Sequence, residues 1–151
     1  MPTRELCVQV TSDLEIAAKK TDVTLADGTN RMLKITSIYG GRPYEAQIAE
    51  LQSGVDVVVG TPPGRLLDLA QQGHLVLGKV SILVLDEADE MLDLGFLPDI
   101  ERIMSHCRPP RARRCCSRRP CPAPIVTLAR TFLHRPTHIR AENANDSAVH
   151  D

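Results

Sequence analysis

Two short runs of apolar residues limit the folds open to this chain more than any other feature. VDVVVGT spans residues 55–61 and SILVLDEAD spans residues 81–89, and neither shows the regular apolar–polar alternation of a strand with one face in water. Such runs are typical of strands that helices cover on both faces of a parallel sheet. Segments with helical spacing and a closing glycine precede and follow the first run, at 43–54 and 63–73. We therefore predict an α/β fold with an open parallel sheet.

The rest of the amino-terminal half fits the same pattern. Thr3 is placed to cap a helix over residues 4–20, in which apolar residues recur at helical spacing. They are Leu6, Val10, Leu14 and Ala17. Residues 21–30 have the composition of a turn, and residues 31–41 predict a short strand that runs into Gly40-Gly41. Pro63 stands in the first turn of the helix predicted at 63–73, and a further helix is predicted at 97–107.

Composition excludes several classes of protein. A chain of 151 residues suits one domain, and its formal net charge of −1 means that any contact with nucleic acid must be local. Its apolar runs are far shorter than the roughly 18 residues that a membrane span needs, and the amino terminus lacks the pattern of a secretory signal. Because the five cysteines are odd in number and clustered, we expect no disulfide framework and a cytoplasmic location.

Polar residues follow each predicted strand at its carboxyl end, where parallel sheets place their ligand-binding loops. These ends are YGG (39–41), GTPPGR (60–65) and LDEAD (85–89). Asp86 directly after an apolar strand could hold Mg²⁺ through water, and Glu87 could accept a proton from an attacking water. Alternatively, the acidic residues only begin a helix, where the helix dipole favours negative charge. Pattern alone does not decide between these interpretations.

Four motifs in a fixed order resemble one family. VLDEADEMLDLGF (84–96) resembles motif II of the DEAD-box RNA helicases, and PTREL (2–6), YGG (39–41) and GTPPGR (60–65) resemble their motif Ia, Gly-Gly motif and motif Ib. The resemblance implies an incomplete RecA-like fold of the P-loop NTPase type, with a parallel sheet flanked by helices. This partial ATP-binding domain would span residues 1–140, followed by a polar tail at 141–151.

The same resemblance implies a site for ATP, Mg²⁺ and RNA. Asp86 would bind the Mg²⁺ of Mg-ATP through water, Glu87 would act as general base or orient the water, and Asp89 would link hydrolysis to the state of the RNA. The positions that match the family's RNA-binding residues are Pro2, Thr3, Arg4, Gly40, Gly41, Thr61, Gly64 and Arg65. Glycines, helix amino termini and arginine suit a phosphate backbone. Gly40-Gly41 as a plain turn, and Thr3 and Thr61 as helix caps, remain alternatives.

The sequence also departs from the family. The phosphate-binding G-K-T loop would lie upstream of PTREL, and a second RecA-like lobe would be needed to close over ATP and RNA. We therefore expect this chain alone neither to bind ATP tightly nor to hydrolyse it. The function implied is ATP-dependent unwinding of RNA duplexes by the parent enzyme. The alternatives are a non-enzymatic RNA-binding or interaction fragment and the product of a decayed gene. The oligomeric state stays open.

The segment RPPRARRCCSRRPCP (108–122) stands where the family has a buried strand ending in motif III, as in QAMLFSATMP. One choice of codons for 112–122, read in another frame, translates as that motif. We infer two compensating frame slips and expect 108–122 to form a loop that leaves a sheet edge exposed. Two alternatives are a phosphate-binding patch of six arginines and a zinc site. The zinc ligands would be His106, Cys115, Cys116 and Cys121. The doubled proline Pro62-Pro63 should leave the following helix intact.

Overall fold

The computed structural model describes residues 1–107 and the backbone of residues 113–116. The helices are α1 (Arg4–Ala18), α2 (Tyr44–Gln52), α3 (Leu67–Gln71), α4 (Ala88–Asp93) and α5 (Leu97–His106), and Leu77–Lys79 form one 3₁₀ turn. The strands are β1 (Asp22–Thr24), β2 (Asn30–Met32), β3 (Ile35–Ile38), β4 (Val57–Gly60), β5 (Ile82–Leu85) and β6 (Arg113–Cys116). After the β1–β2 hairpin, helices and strands alternate as the sequence predicts.

Two parallel strand pairs carry the fold. β3 pairs with β4, from Ile35 opposite Val57 to Ile38 opposite Gly60. β5 pairs with β6 in the same parallel sense. Within the described part of the chain each pair forms its own two-stranded sheet, and β1 with β2 forms a third that is antiparallel. The predicted class, α/β with parallel pairing, is confirmed.

Each parallel pair rests on its own group of buried apolar residues. The first core cluster consists of Ile38, Leu69, Ala70 and Leu75, and the second core cluster consists of Ala88, Met91, Ile100 and Met104. Helix α3, which supplies two residues of the first cluster, packs against α5, which supplies two of the second. The two halves of the structure therefore meet at the α3–α5 contact.

The apolar sequence of β5 predicts a strand buried on both faces, but the structure buries only one face. Leu83 and Leu85 pack against the second core cluster, whereas the alternate side chains, Ile82 and Val84, do not. Ile82 remains 61% exposed and Val84 54% exposed. Among the described residues α4 and α5 cover only one face of β5, so a continuous apolar run here serves a half-buried strand.

The prediction that residues 108–122 form a loop is wrong for residues 113–116. These four residues form β6, in register with β5 from Ile82 opposite Arg113 to Leu85 opposite Cys116. Strand pairing uses backbone N–H and C=O groups, which every non-proline residue carries, and an unpaired strand edge favours a partner. The prediction of a loop assumes a strand buried on both faces, which would bury charged arginines. Because one face of β5 is open, a strand that pairs with β5 need not be buried on both faces. Residues 108–112, 117–122 and the tail at 141–151 lie outside the described residues.

A short hairpin replaces the turn predicted at 21–30. β1 and β2 pair around a turn in which Asp27 Oδ1 accepts hydrogen bonds from the Thr29 backbone N–H (2.9 Å) and hydroxyl (2.6 Å). Each strand has three residues and only its middle residue is partly buried. Strands this short and this exposed have no apolar run that the sequence could show.

The doubled proline delays the helix predicted at 63–73. Pro62–Leu66 form an irregular turn in which Pro63 (φ −76°, ψ 156°) and Gly64 (φ 75°, ψ −121°) are non-helical, and α3 begins only at Leu67. Gly64 has a backbone conformation that favours glycine. The expectation that the helix survives holds for its second half, and Gly73 follows its end with φ +80°.

Helix α1 begins as predicted but buries a different stripe. The Thr3 hydroxyl accepts a hydrogen bond from the Leu6 backbone N–H at 3.2 Å, which confirms the cap. The buried residues are Cys7, Thr11 and Ala18, whereas Ala17 is exposed. The buried stripe is thus displaced by one position from the predicted one. It includes the polar Thr11, whose hydroxyl is satisfied by donating to the Cys7 carbonyl at 2.7 Å.

Candidate functional site

The carboxyl ends of β4 and β5 meet the amino terminus of α1 at one edge of the molecule. The Met1 amino group donates to the carbonyl oxygen of Gly60, the last residue of β4, at 3.2 Å. Burial lowers the pKa of that amino group, and the Cys7 thiol and the Asp86 carboxylate oppose the shift. Met1 thus contacts Gly60, and its charge is close enough to that of Asp86 for the two to interact. The loops that the sequence singled out share one edge.

The turn from β5 into α4 has an unusual backbone. Glu87 lies in the left-handed region (φ 54°, ψ 45°), and it is the single non-glycine residue with positive φ among the described residues. Its backbone N–H donates to Asp86 Oδ1 at 3.1 Å. Its carbonyl accepts from the Met91 N–H at 3.1 Å, which ties the turn to the second core cluster. A strained residue held this firmly is typical of a functional turn.

Asp89 carries an unsatisfied buried atom. Its Oδ1 has no hydrogen-bond partner in the described part of the chain. Leaving a buried acceptor unpaired costs roughly 1–3 kcal/mol. A hydrogen-bond donor from outside the described residues would therefore be favourable at Asp89. This agrees with the role that the family resemblance implies for Asp89, which is to link ATP hydrolysis to the state of the RNA.

The residues of the acidic turn fit Mg²⁺ in kind. Mg²⁺ takes only one or two carboxylates from a protein and completes its shell with water and phosphate oxygens. Asp86 offers such a carboxylate at a strand end, with Oδ1 held by a backbone N–H. The described residues include no group of three or more His, Cys, Asp and Glu side chains that could hold a metal on their own. The cysteine side chains of the alternative zinc site lie outside the described residues.

Arg4 and the Gly-Gly segment lie against each other. The Arg4 guanidinium stacks over the Tyr39 ring, 4.9 Å from its centre. Gly41 has φ +93°, and a Cβ atom there would lie 2.9 Å from Arg4 Nη1. The backbone conformation at position 41 favours glycine, and any Cβ there would also make the Arg4 guanidinium move. Arg4, Gly40 and Gly41 are all exposed.

Arg65 is held on three sides. Its Nη1 donates to the Arg42 carbonyl at 3.1 Å and to Gln47 Oε1 at 3.0 Å. Its guanidinium also stacks 4.5 Å from the centre of the Tyr44 ring. These contacts occupy Nη1 and one face of the guanidinium. The remaining N–H groups of the fork keep their capacity to donate to a phosphate.

The other predicted RNA-binding residues differ in what they offer. The Thr3 hydroxyl accepts the hydrogen bond of a helix cap, so it is already engaged within the chain, and its contact with RNA stays a prediction. Thr61 makes no capping hydrogen bond with its side chain, so its hydroxyl is not used in that way. Gly64 is exposed, with open space where a Cβ would stand, whereas Pro2 is buried. The backbone of Gly64 is therefore accessible to RNA, whereas Pro2 has little surface left for such a contact.

Sequence reasoning missed Gln47 and Arg42. Gln47 is 1% exposed, and its Nε2 donates to the Tyr39 carbonyl at 3.1 Å while its Oε1 accepts from Arg65. Arg42 donates to the Ser37 carbonyl at 3.0 Å and forms an ion pair with Glu50 at 2.5 Å. A polar residue within an amphipathic helix pattern looks solvent-facing. No signal in this single sequence distinguishes a buried glutamine from an exposed one.

Comparison with known proteins agrees with this geometry. The model of the DEAD/DEAH box helicase family matches residues 1–119. DEAD-box ATP-dependent RNA helicase 20 of Arabidopsis thaliana is 42% identical over 135 residues, which cover 89% of this chain and 25% of that protein. ATP-dependent RNA helicase DeaD of Haemophilus influenzae is 37% identical over 147 residues, which cover 97% of this chain and 22% of that protein. The chain thus spans about a quarter of the length of these relatives.

Solved structures give the same result. A DEAD box protein from the hyperthermophile Methanococcus jannaschii superposes with a TM-score of 0.75 at 38% identity, covering 89% of this chain and 34% of that one. The yeast DEAD-box splicing factor Prp28 superposes with a TM-score of 0.74 at 30% identity. The superposition covers 89% of this chain and 30% of that one. No helix among the described residues is long and apolar enough to cross a membrane. The RecA-like α/β fold, the match over residues 1–119 and the shared edge of the motif loops place this chain in the DEAD/DEAH box helicase family.

Proposed function

We propose that residues 1–140 form part of the first RecA-like lobe of an ATP-dependent RNA helicase, and that their edge binds RNA on one side and faces Mg-ATP on the other. The observation that carries this proposal is the meeting of Gly60, Asp86 and the start of α1 at one edge. Opening of RNA duplexes by the parent enzyme would require a second lobe and a phosphate-binding loop, as the family resemblance implies.

The RNA side would bind the sugar-phosphate backbone. Arg4 and Arg65 supply charged donors, and Gly40, Gly41 and Gly64 let a backbone approach closely. Thr61 supplies a hydroxyl that makes no capping hydrogen bond. Contacts of this kind recognise phosphates and 2′-hydroxyls rather than base edges, so the proposed binding is independent of sequence.

The nucleotide side would consist of the acidic turn. Asp86 would hold Mg²⁺ through its water shell, and Glu87 would orient a water molecule and accept its proton. When bound, Mg²⁺ neutralises charge on the nucleotide phosphates. Asp89, with its unpaired buried Oδ1, would connect this turn to the RNA side.

A second function, RNA binding without catalysis, is favoured by one observation. The RNA-side arginines are positioned by contacts within this chain alone, Arg4 by Tyr39 and Arg65 by Gln47 and Tyr44. RNA binding therefore does not depend on the nucleotide side being complete.

Fluorescence anisotropy with a single-stranded RNA, at a series of salt concentrations and with or without Mg-ATP, tests both functions. We expect affinity to fall with salt by about 0.7 in the log–log slope for each phosphate contact. We expect Arg4→Ala and Arg65→Ala each to weaken binding and reduce that slope. A separate phosphate-release assay measures catalysis, and RNA-stimulated release would show that this chain hydrolyses ATP by itself, against our expectation for a chain without the phosphate-binding loop. RNA binding unaffected by Mg-ATP agrees with both functions. Binding that is absent, or unaffected by salt, would refute both.

A further inference from the structure

Gln47 is the most deeply buried polar side chain of the described residues, and it joins two separate loops. It lies on α2, between the Gly-Gly segment that precedes this helix and the Pro62–Leu66 turn that follows β4. Its Nε2 donates to the carbonyl of Tyr39, directly before Gly40, and its Oε1 accepts from Arg65. One amide group therefore contacts both loops.

Burial makes these two contacts specific. At 1% exposure Gln47 has no water to replace a lost partner, and a buried amide without partners is costly. The two protein groups that it satisfies also depend on it. Tyr39 directly follows β3 and precedes the Gly-Gly segment. Among the described residues, the Arg42 carbonyl is the only other acceptor of Arg65 Nη1. Gln47 therefore fixes the position of both loops at once.

Without Gln47, Arg65 would keep fewer contacts. They would be one hydrogen bond to the Arg42 carbonyl and the stacking on Tyr44, which restrain the guanidinium less than the present set does. An arginine that is fixed before binding loses less side-chain entropy when it meets a phosphate. The amide oxygen of Gln47 supplies that fixation.

We propose that Gln47 is a positioning residue that presents Arg65 to an RNA phosphate and aligns the Pro62–Leu66 turn with the Gly-Gly segment. Its effect on RNA rests on the proposed function, whereas its effect on Arg65 does not. Gln47 touches no ligand itself and acts through Arg65 and the Tyr39 carbonyl.

The first test measures how fast the guanidinium N–H groups of Arg65 exchange in the absence of RNA. NMR of the 151-residue chain gives these signals. The Arg65 signals are identified by their absence from Arg65→Ala. We expect slowly exchanging Arg65 signals in the wild type, their loss in Gln47→Met, and their retention in Gln47→Glu, which keeps an acceptor oxygen. Unchanged Arg65 signals in Gln47→Met would overturn the proposal whether or not the chain binds RNA.

The second test is a double-mutant cycle on RNA affinity with Gln47→Met, Arg65→Ala and the double variant. We expect Gln47→Met to weaken binding by a factor of about five to ten, as for the loss of one charge-assisted contact. The double variant should bind no more weakly than Arg65→Ala. Equal losses from Gln47→Met in both backgrounds would mean a purely structural role and would overturn the proposal.

A matched control separates this role from a general effect on α2. Gln52→Met makes the same chemical change at the exposed last residue of the helix and should change neither Arg65 nor RNA affinity. If the wild type fails to bind RNA while Gln47→Met still frees Arg65, the proposed function fails and the positioning role stands.

Discussion

Single residues at the candidate site are determined by backbone conformation as much as by side-chain chemistry. Gly41 and Glu87 both have positive φ, one against Arg4 and the other beside Asp86. The glycine avoids strain there, whereas the glutamate accepts it and keeps a carboxylate in the turn. The two residues show that each loop is built around one unusual backbone position.

Replacing Gly41 with alanine should impair RNA binding beyond its effect on stability. The positive φ costs about 1–2 kcal/mol for any residue with a Cβ, and here the Cβ would also displace Arg4. Gly28→Ala is the matched control, since Gly28 has φ +84° with nothing within 4 Å of its Cβ position. Urea unfolding should show similar destabilisation in both variants, and anisotropy should show weaker RNA binding only in Gly41→Ala. Equal RNA affinity in the two variants would contradict the role of Arg4.

Asp56 should make stability depend on pH in the acid range. Two hydrogen bonds from Arg31 and one from the Lys34 backbone N–H lower the pKa of Asp56 from 3.8 to about 2. A lowered pKa means that the stabilisation is complete above pH 3.8 and is lost as the pH falls through about 2. Asp56→Asn should therefore be less stable than wild type at pH 5, with the difference shrinking towards pH 2. Urea unfolding across this range measures it, with exposed Asp13→Asn as control, and a difference independent of pH would disprove it.

At the scale of elements, the sequence predicted what depends on local pattern. The Thr3 cap, the strand predicted at 55–61 and α2 with its closing glycine follow from turn chemistry and apolar spacing. The single strand predicted at 31–41 is wrong in one respect, because that range is divided between β2 and β3 in different sheets. The strand β6 could not be predicted from its own residues, because it depends on a partner edge; only the family resemblance places a strand at this point of the chain. The exposed face of β5 likewise depends on which helices lie over it.

The pairing of β6 with β5 also bears on the proposed frame slips. β6 lies beside β5, where the family resemblance places the strand that leads to motif III. Arginines and cysteines now stand in that strand, so backbone pairing persists although the residues do not resemble a strand. This agrees with a segment whose position is inherited and whose residues have changed, and the nucleotide sequence would decide it.

Proline substitution should distinguish pairing by the backbone from attachment by side chains. Adjacent residues of a strand point their N–H groups in opposite directions, so replacing both Arg114 and Cys115 by proline must remove one donor that faces β5. We expect hydrogen exchange at residues 82–85 to accelerate. Serine at the same two positions keeps both N–H groups and should preserve protection. Fast exchange at 82–85 already in the wild type would mean that β6 does not form.

At the scale of the whole molecule, the two sides of the site rest on different core clusters. The Gly-Gly segment follows β3, which contributes Ile38 to the first core cluster, and the acidic turn leads into α4, which contributes Met91 to the second. The contacts of α5 with α3 and with the Pro62–Leu66 turn, together with the edge beside Met1, join these halves. These connections are the routes by which RNA and nucleotide could be coupled.

This arrangement predicts that the two clusters unfold together. Ile38→Ala and Met91→Ala each remove a fully buried side chain and should cost about 2–5 kcal/mol. Because α3 packs on α5, either variant should raise hydrogen exchange in both strand pairs, β3–β4 and β5–β6, and urea unfolding should stay a single transition. Val76→Ala, at a side chain 68% exposed, is the control and should change stability by less than about 0.5 kcal/mol. If Ile38→Ala loosened only β3 and β4, the halves would be independent, and the α3–α5 contact could not carry a signal between RNA and nucleotide.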